Sequence, residues 1–292
     1  MMADDLGFRI VGPCTGERRL VCWPTAFVAY ASLDERADVN REAYLSAFTF
    51  GEDFRRHLDA NGSTKGFAGV CGGEFVWFDI DRTDLEAARR DAARLCLCLA
   101  ERYSLDDDAL LVFFSCSKGF HVGLPTDLWQ PTASGLFNLT ARRLAEGLAA
   151  ACEVVIDSGV FDKVRAFRAP NSRHQKTGLH KRRLSLDELM RLSVERIQEL
   201  AREPLAFDVP TVSTRCDQAA TDWQERPLDG LSKRPKRLGN GGHRLTDRRG
   251  STGQRSTSSR TARGVETGIG CCSRRQRTSP SSAARSNWLT NY

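Results

Sequence analysis

The sequence contains no uninterrupted apolar stretch of the roughly 18 residues that a membrane-spanning helix needs. Its first residues, Met1-Met2-Ala3-Asp4-Asp5, lack the basic head and the apolar core of a signal peptide. These two absences predict a cytoplasmic protein with no membrane partner. Ten cysteines are scattered over 292 residues. A chain of this length can form a core without disulfides, so we expect reduced thiols.

Two common binding motifs are also missing. The stretch 61–66 has the composition of a loop but lacks the Gly-Lys-Ser/Thr ending of a phosphate-binding loop, so we interpret it as a connector. The pair Cys96 and Cys98 lies on a predicted helix, where the two side chains diverge, and the pair Cys271 and Cys272 lies near the end of the chain. Neither pair has the spacing of a zinc site, and we expect no structural zinc.

Charge is distributed unevenly along the chain, although the formal total is only +6. Residues 231–292 contain about 14 Lys and Arg against about 2 Asp and Glu, which leaves the preceding part net negative by about 6. After about Pro210 the apolar periodicity ends and Arg, Ser, Thr and Gly dominate. We therefore predict a folded domain over residues 1–208 and a disordered basic tail over residues 209–292.

Within the folded domain, apolar runs and helix-start signals alternate. Capping boxes at 83–86 and 185–188 each precede residues at helical spacing, and continuous apolar runs rich in β-branched and aromatic residues predict strands. This alternation predicts an α/β or α+β fold, with functional groups at strand ends and in the loops that follow them. The predicted helices begin near 41, 83, 134 and 185 and end near 58, 99, 152 and 202, and the predicted strands cover 75–81, 109–114 and 154–156.

Two acids, Asp79 and Asp81, end the apolar strand 75–81. Side chains alternate across a strand, so these two point to the same face with Cα atoms about 6.6 Å apart. Two carboxylates on one face repel each other unless a cation lies between them, and Mg²⁺ or Mn²⁺ prefers carboxylate oxygen. Two such ions about 4 Å apart are the usual arrangement for phosphoryl transfer. The pair therefore indicates a two-metal site.

Two further segments have the chemistry of a triphosphate site. The strand 109–114 is followed by a hydroxyl-rich turn with a lysine, a glycine and a histidine, at 115–121. Asp157 follows the strand 154–156, and the run 165–181 contains seven basic-type groups in seventeen residues. Pro, Asn, Ser and Gly interrupt that run, so it predicts a loop or hairpin rather than a helix face. Arginine forks and lysine point charges together suit a triphosphate.

The ordered set of these motifs resembles the archaeo-eukaryotic primase superfamily. It is similar to the catalytic small subunits of that family and to phage- and plasmid-borne primase-polymerases, over about residues 30–203. The resemblance implies an α/β module joined to a module like an RNA-recognition motif, with the active site in the cleft between them. The residues that carry it are Asp79-Ile80-Asp81, Ser115 to His121, Asp157, and Arg168 to Gly178.

The resemblance implies a role for each matching residue. Asp79, Asp81 and Asp157 would be the catalytic acids and metal ligands, with Asp157 helping to deprotonate the attacking 3′-hydroxyl. The family usually has glycine where this chain has Cys116, which concerns the tightness of the turn. The nucleotide-binding residues would be Ser115, Lys118, His121, Arg168, Ser172, His174 and Lys176.

Three functions are compatible with these motifs. The first is a DNA primase or primase-polymerase, a nucleotidyltransferase acting in phage or plasmid DNA replication. Its partners would be a single-stranded DNA template, NTPs or dNTPs, and a helicase or a large primase subunit. The second is a metal-dependent nuclease, which would not need the basic set at 165–181. The third is a non-catalytic nucleic-acid-binding module, which would not need three strand-end acids.

Overall fold

The computed structural model describes residues 5–106, 108–212 and 214–224 of the chain. Within these residues the protein consists of two antiparallel sheets and seven α-helices, an α+β arrangement. In chain order the strands are β1 (Leu6–Val11), β2 (Arg19–Cys22), β3 (Ala43–Ser46), β4 (Thr49–Phe50), β5 (Cys71–Gly72), β6 (Phe75–Asp81), β7 (Leu111–Phe114), β8 (Gly119–Pro125), β9 (Ala166–Arg168) and β10 (Arg182–Leu184).

The helices lie between and around these strands. They are α1 (Trp23–Ala31), α2 (Glu52–Asn61), α3 (Leu85–Tyr103), α4 (Phe137–Ala151), α5 (Leu186–Arg191), α6 (Val194–Leu200) and α7 (Asp217–Gln224). Among the described residues, none of these helices combines the length and the apolar character that crossing a membrane requires.

The first sheet has the strand order β5-β4-β1-β3-β9, with β2 also paired to β1. The second has the order β10-β7-β8-β6, which leaves β6 at one edge. Aromatic side chains pack between the sheets: the Trp77 ring lies 6.5 Å from Phe27 on α1 and 5.2 Å from Phe167 on β9. Trp77 is 4% exposed and belongs to the core. This packing brings the β9 edge of the first sheet over the second.

The helix α3 covers the opposite face of the second sheet. Its buried residues Ala88, Ala92, Leu95 and Leu99 recur at helical spacing. The helix begins where the side chain of Asp84 accepts a hydrogen bond from the main-chain N–H of Glu86. The predicted helix is confirmed, but the predicted capping box 83–86 does not form, because Asp84 rather than Thr83 is the N-cap. Since α3 occupies one face, the acids at the end of β6 are left on the other.

Several predicted elements differ in the structure. The predicted helix 41–58 is wrong in its first half, where β3 and β4 form before α2 begins at Glu52. Residues 43–46 pair with β1 and β9, and these long-range bonds outweigh the local helical pattern. The predicted helix 185–202 is two helices, because Ser193 caps a new helix after α5 ends at Arg191.

The predicted strand 154–156 is also wrong. These residues lie outside any strand, and Val155 is 68% exposed, because none of the described strands pairs with them. Within the segment assigned to the basic tail, residues 217–224 form α7, so the boundary drawn at residue 208 falls before this last described helix. The predicted tail from residue 225 onward, together with Cys271 and Cys272, lies outside the described residues.

Candidate active site

Asp79 and Asp81 lie on the same face of β6, as the alternation of side chains requires. In the antiparallel pairing with β8, Asp79 is opposite His121 and Asp81 is opposite Gly119. Asp79 lies within the strand and is buried, whereas Asp81 lies at the end of the strand and is exposed. One acid therefore faces a low-dielectric environment and the other faces solvent.

Burial raises the pKa of Asp79 to about 7, and the charges of Asp81 and Asp157 act in the same direction. Burial and the charge of Asp157 also raise the pKa of Asp81, while Lys118 opposes them. The Oδ1 atom of Asp79 is buried and accepts no hydrogen bond from the described residues. A buried carboxylate oxygen without a hydrogen bond lowers the stability of the folded state, and a bound cation would remove this penalty.

Asp157 lies beside the other two acids through its main chain. Its N–H donates to the main-chain carbonyl oxygen of Asp79 at 2.8 Å, along the free edge of β6. Its side-chain Oδ1 accepts from the N–H of Gly159 at 2.8 Å and caps the short 3-10 helix Ser158–Phe161. The side chain is therefore held by one oxygen, and it is close enough to raise the pKa of both other acids.

The three carboxylates suit a hard divalent ion by their chemistry. As they stand, the described residues contain no set of three His, Cys, Asp or Glu side chains that already converge on one metal position. The unpaired Oδ1 of Asp79 and the mutual repulsion of the three acids nevertheless fit Mg²⁺ or Mn²⁺. Asp79, Asp81 and Asp157 are the residues that would hold such ions.

His121 lies against Asp79 on the neighbouring strand. Its Nε2 is 3.4 Å from Asp79 Oδ1, and its ring stacks on Phe167 with centroids 4.3 Å apart. Burial, followed by the positive charges of Lys181 and Arg168, holds the pKa of His121 well below its ordinary value. The ring is therefore neutral at pH 7, and its contact with Asp79 is not an ion pair.

The turn between β7 and β8 is tight at both ends. Ser115 and Gly119 are joined by a main-chain hydrogen bond of 3.0 Å, and the N–H of Gly119 also donates to Ser115 Oγ at 3.2 Å. A Cβ at position 119 would lie 1.8 Å from the carbonyl oxygen of Ile80, so only glycine fits there. Cys116 has φ +74°, the conformation that glycine adopts most easily. The turn therefore keeps its shape with a cysteine at that position.

Lys118 is exposed at the tip of this turn and lies near enough to Asp81 to oppose the rise of its pKa. The ammonium group of Lys118 is thus available beside the acids. The Oγ of Ser115 already accepts a bond within the turn, and its hydroxyl proton remains available for a ligand. The structure accordingly brings Ser115, Lys118 and His121 to the same end of the second sheet as the acids.

The basic run 165–181 forms β9 and a loop closed by a bridge between Arg173 and His180, and no helix, as predicted. His174 is partly exposed, and its Nδ1 accepts from the N–H groups of Lys176 and Thr177 at 3.2 and 3.3 Å. Burial and the charge of Arg168 lower the pKa of His174. Its neutral ring therefore presents Nε2–H as a donor.

Ser172 does not reach the site. It has no exposed surface, and its hydroxyl group donates to the carbonyl oxygens of Ala169 and Ala43 at 2.8 and 3.2 Å. It stabilises the loop from within, because a buried hydroxyl has to find an acceptor. Lys176, by contrast, is exposed on the loop beside His174. Of the residues predicted in this run, Arg168, His174 and Lys176 remain near the site.

A cavity of about 460 Å³ opens beside His174. A larger cavity of about 910 Å³ lies between the end of α3 and the segments 205–212 and 214–216, and no predicted site residue lines it. The smaller cavity is the one that adjoins the predicted chemistry. It is lined by Gly12, Pro13, Asn40, Arg41, Glu42, Arg173, His174, Gln175 and Gly178.

Lys181 is a residue of this region that the sequence analysis did not single out. It is fully buried, and its Nζ donates to the carbonyl oxygen of Arg168 at 2.8 Å. The same nitrogen lies 4.4, 4.7 and 5.3 Å from the ring centroids of Phe167, Phe113 and Trp77. Burial lowers the pKa of Lys181 to about 7. A basic run in sequence carries no signal that one member turns inward.

Glu42 and Tyr44 were missed for a different reason. They lie on and just before β3, where a helix was predicted, and both contact Arg168 on β9. With a strand prediction, their spacing of two would have placed them on one face.

Comparison of the chain with protein-family models, with curated proteins and with solved structures finds no match in any of the three.

Proposed function

We propose that this chain is a DNA primase or primase-polymerase, which joins nucleotides from NTPs or dNTPs on a single-stranded DNA template. Three acids from distant parts of the chain meet at the free edge of β6, and this meeting supports the proposal most directly. Basic side chains of the 115–121 turn and of the 165–181 loop lie around these acids. A cluster of acids beside a basic pocket suits the transfer of a nucleotidyl group from a triphosphate.

In the proposed reaction, the 3′-oxygen of a nucleotide forms a bond to the α-phosphorus of the incoming triphosphate. The bond from that phosphorus to the oxygen bridging to the β-phosphorus breaks, and its electron pair leaves with pyrophosphate. The proton of the 3′-hydroxyl passes to a carboxylate oxygen of Asp157, which is exposed and has one oxygen outside its capping bond. Asp79 and Asp81 complete the acidic side of the site.

The basic groups would bind the leaving side of the triphosphate. His121 is neutral and buried beside Asp79, so it acts as a hydrogen-bond donor rather than as a charge. Lys118 and Lys176 are exposed and supply mobile positive charge. His174 lines the 460 Å³ cavity and offers Nε2–H as a donor. Mg²⁺ or Mn²⁺ bound by the three acids would supply Lewis-acid stabilisation of the phosphate charge.

The direct test is de novo synthesis on single-stranded circular DNA, with NTPs or dNTPs and with Mg²⁺ or Mn²⁺. Wild type should make primers, and Asp79→Asn and His174→Ala should not. We expect Asp79→Asn to reduce the rate by about a thousandfold or more, since several kcal/mol of transition-state stabilisation would be lost. Asp222→Asn is a control, because Asp222 is a similarly shielded acid that pairs with Arg102 at the C-terminal end of α3, away from the site.

Other products would point elsewhere. Degradation of the template without synthesis, lost in Asp79→Asn, would replace the primase proposal with a nuclease. Retention of DNA without either reaction, unchanged in Asp79→Asn, would leave only a binding module. Synthesis that persists in Asp79→Asn would refute the assignment of the acids themselves.

A further inference from the structure

Arg168 is held in place by two residues of the neighbouring strand. In the pairing of β3 with β9, Tyr44 lies opposite Arg168. The Nη2 of Arg168 donates to Glu42 Oε1 at 3.1 Å and to the Tyr44 hydroxyl oxygen at 3.2 Å. The Tyr44 hydroxyl donates in turn to the same Glu42 oxygen at 2.6 Å. The guanidinium carbon lies 5.0 Å from the centre of the Tyr44 ring. Glu42, Tyr44 and Arg168 form a closed set of contacts, which we call the arginine clamp.

The arginine clamp is shielded from solvent. The side chains of Arg168 and Glu42 are only 12% and 13% exposed, so their attraction is screened less than that of a surface pair. Burial acts to raise the pKa of Glu42, but the hydrogen bonds from Tyr44 and Arg168 outweigh it and lower that pKa. Glu42 is therefore ionised at neutral pH, and it cancels much of the charge of Arg168 within the protein.

The clamp also borders the candidate nucleotide site. Glu42 and His174 both line the 460 Å³ cavity, and the charge of Arg168 lowers the pKa of His174 and of His121. One nitrogen of Arg168, Nη1, is buried and donates to no group of the described residues. Two of the three hydrogen bonds of the clamp thus fix the guanidinium, and one of its donors is left without a partner among the described residues.

We propose that Glu42 and Tyr44 are positioning residues for Arg168. They fix the direction of its guanidinium group, and they weaken the attraction of its charge for the triphosphate and for the pyrophosphate product. This inference rests on the proposed function. An arginine that binds substrate and product equally tightly raises affinity without raising turnover. A carboxylate paired with that arginine weakens its hold on pyrophosphate, so that the product can leave. Tyr44 keeps the guanidinium from swinging toward solvent.

The test is the binding of inorganic tripolyphosphate and of pyrophosphate to the full chain, measured by calorimetry in EDTA so that no metal contributes. Glu42→Gln keeps an acceptor but removes the charge, and it should bind both anions about tenfold more tightly. Tyr44→Phe keeps the ring but loses the hydroxyl, and it should bind both about fivefold more weakly. Glu146→Gln is the matched control, because Glu146 accepts from Arg142 at 2.7 Å on α4, and its binding should equal that of wild type.

A second readout separates positioning from mere stability. If wild type makes primers, Glu42→Gln should lower both KM for the triphosphate and kcat, because product leaves more slowly. Unchanged or weaker anion binding by Glu42→Gln, with a lower Tm as the only effect, would overturn the inference. Tyr44→Phe tests it again should Glu42→Gln fold poorly, and wild-type affinity in that variant would also overturn it.

The two proposals fail in different ways. Wild type that binds tripolyphosphate but makes no primers would refute the proposed function, and the binding shifts of the variants would still support the clamp. Wild type that makes primers, with variants that bind like wild type, would refute the clamp alone. Wild type that binds neither anion would overturn both.

Discussion

The main-chain N–H of Asp157 donates a hydrogen bond of 2.8 Å to the main-chain carbonyl oxygen of Asp79. The bond joins residues 78 positions apart and uses no side-chain atom, so the position of the third acid does not depend on a rotamer. It is made at the free edge of β6, where a carbonyl oxygen has no strand partner. The edge strand that carries two acids thus also places the third.

Replacing Asp79 should separate activity from stability. The Asp79→Asn variant keeps the shape of the side chain but removes a charge that burial and two neighbouring acids disfavour. At pH 8 we expect its free energy of unfolding to rise by about 2 kcal/mol. Urea denaturation measures this change. Asp91→Asn is a control in which the free energy of unfolding should fall. Asp91 pairs with Arg82 at 2.5 Å, and the loss of this ion pair should destabilise the protein. Equal losses in both variants would contradict the expectation.

The left-handed backbone at Cys116 predicts a difference between two truncations. Both Cys116→Gly and Cys116→Ala remove the buried thiol, but only glycine adopts φ +74° without strain. We expect Cys116→Gly to be more stable than Cys116→Ala by about 1 kcal/mol. Thermal unfolding of the two variants checks this difference. If alanine proved equal to glycine, the turn would have to change its backbone conformation in solution.

Lys181 should make stability depend on pH. Burial lowers the pKa of Lys181 to about 7 from an ordinary value of 10.5, and the charge of Arg168 acts in the same direction while that of Asp79 opposes it. Above pH 7 the folded state holds fewer protons on this group than the unfolded state does. The free energy of unfolding should therefore rise with pH, by about 2 kcal/mol between pH 7 and pH 9.

The variant Lys181→Met isolates this contribution. It fills a similar volume without a titrating group, so the rise of stability from pH 7 to pH 9 should be smaller than in wild type. Denaturant unfolding at several pH values measures both curves. Parallel curves for the two proteins would mean that Lys181 keeps its proton in the folded state.

The last described helix should depend on one acid. Asp222 of α7 accepts from Arg102 at 2.6 and 2.7 Å and from Tyr103 at 2.8 Å, and it is 8% exposed. Asp222→Asn removes the charge from this network, and we expect a loss of about 2 kcal/mol. Amide hydrogen exchange at 217–224 should be faster in this variant than in wild type. Glu199→Gln, which breaks the exposed pair with Arg196, should cost less than about 0.5 kcal/mol. A loss in Asp222→Asn no larger than this control would show that α7 docks by other contacts.

Patterns within one element could be predicted from the sequence. The strand Phe75–Asp81, with Asp79 and Asp81 on one face, follows from a period of two in a short apolar run. The start of α3 and the capping box of α5 follow from side chains that bond to main-chain groups two or three residues away. The physical interactions behind these features are local, so they are present in the order of the residues.

Other predictions failed where distant segments compete with local preference. Residues 43–46 have a helical pattern, yet they form β3 because β1 and β9 offer main-chain partners on both sides. Residues 154–156 have a strand pattern, yet they pair with none of the described strands, and a single bond from Asp157 is made instead. Ser172 lies in a basic run that suggests a ligand, yet it turns inward to two carbonyl oxygens.

The sequence by itself determined which residues are acids and bases and which of them share a strand face. Only the tertiary structure decided that Glu42 meets Arg168 across 126 positions and that Lys181 enters a cage of three rings. It also decided that Asp79 has a buried oxygen that accepts no hydrogen bond from the described residues. Burial and the pairing of distant strands set these properties, because the field at a charged group comes from every segment packed around it.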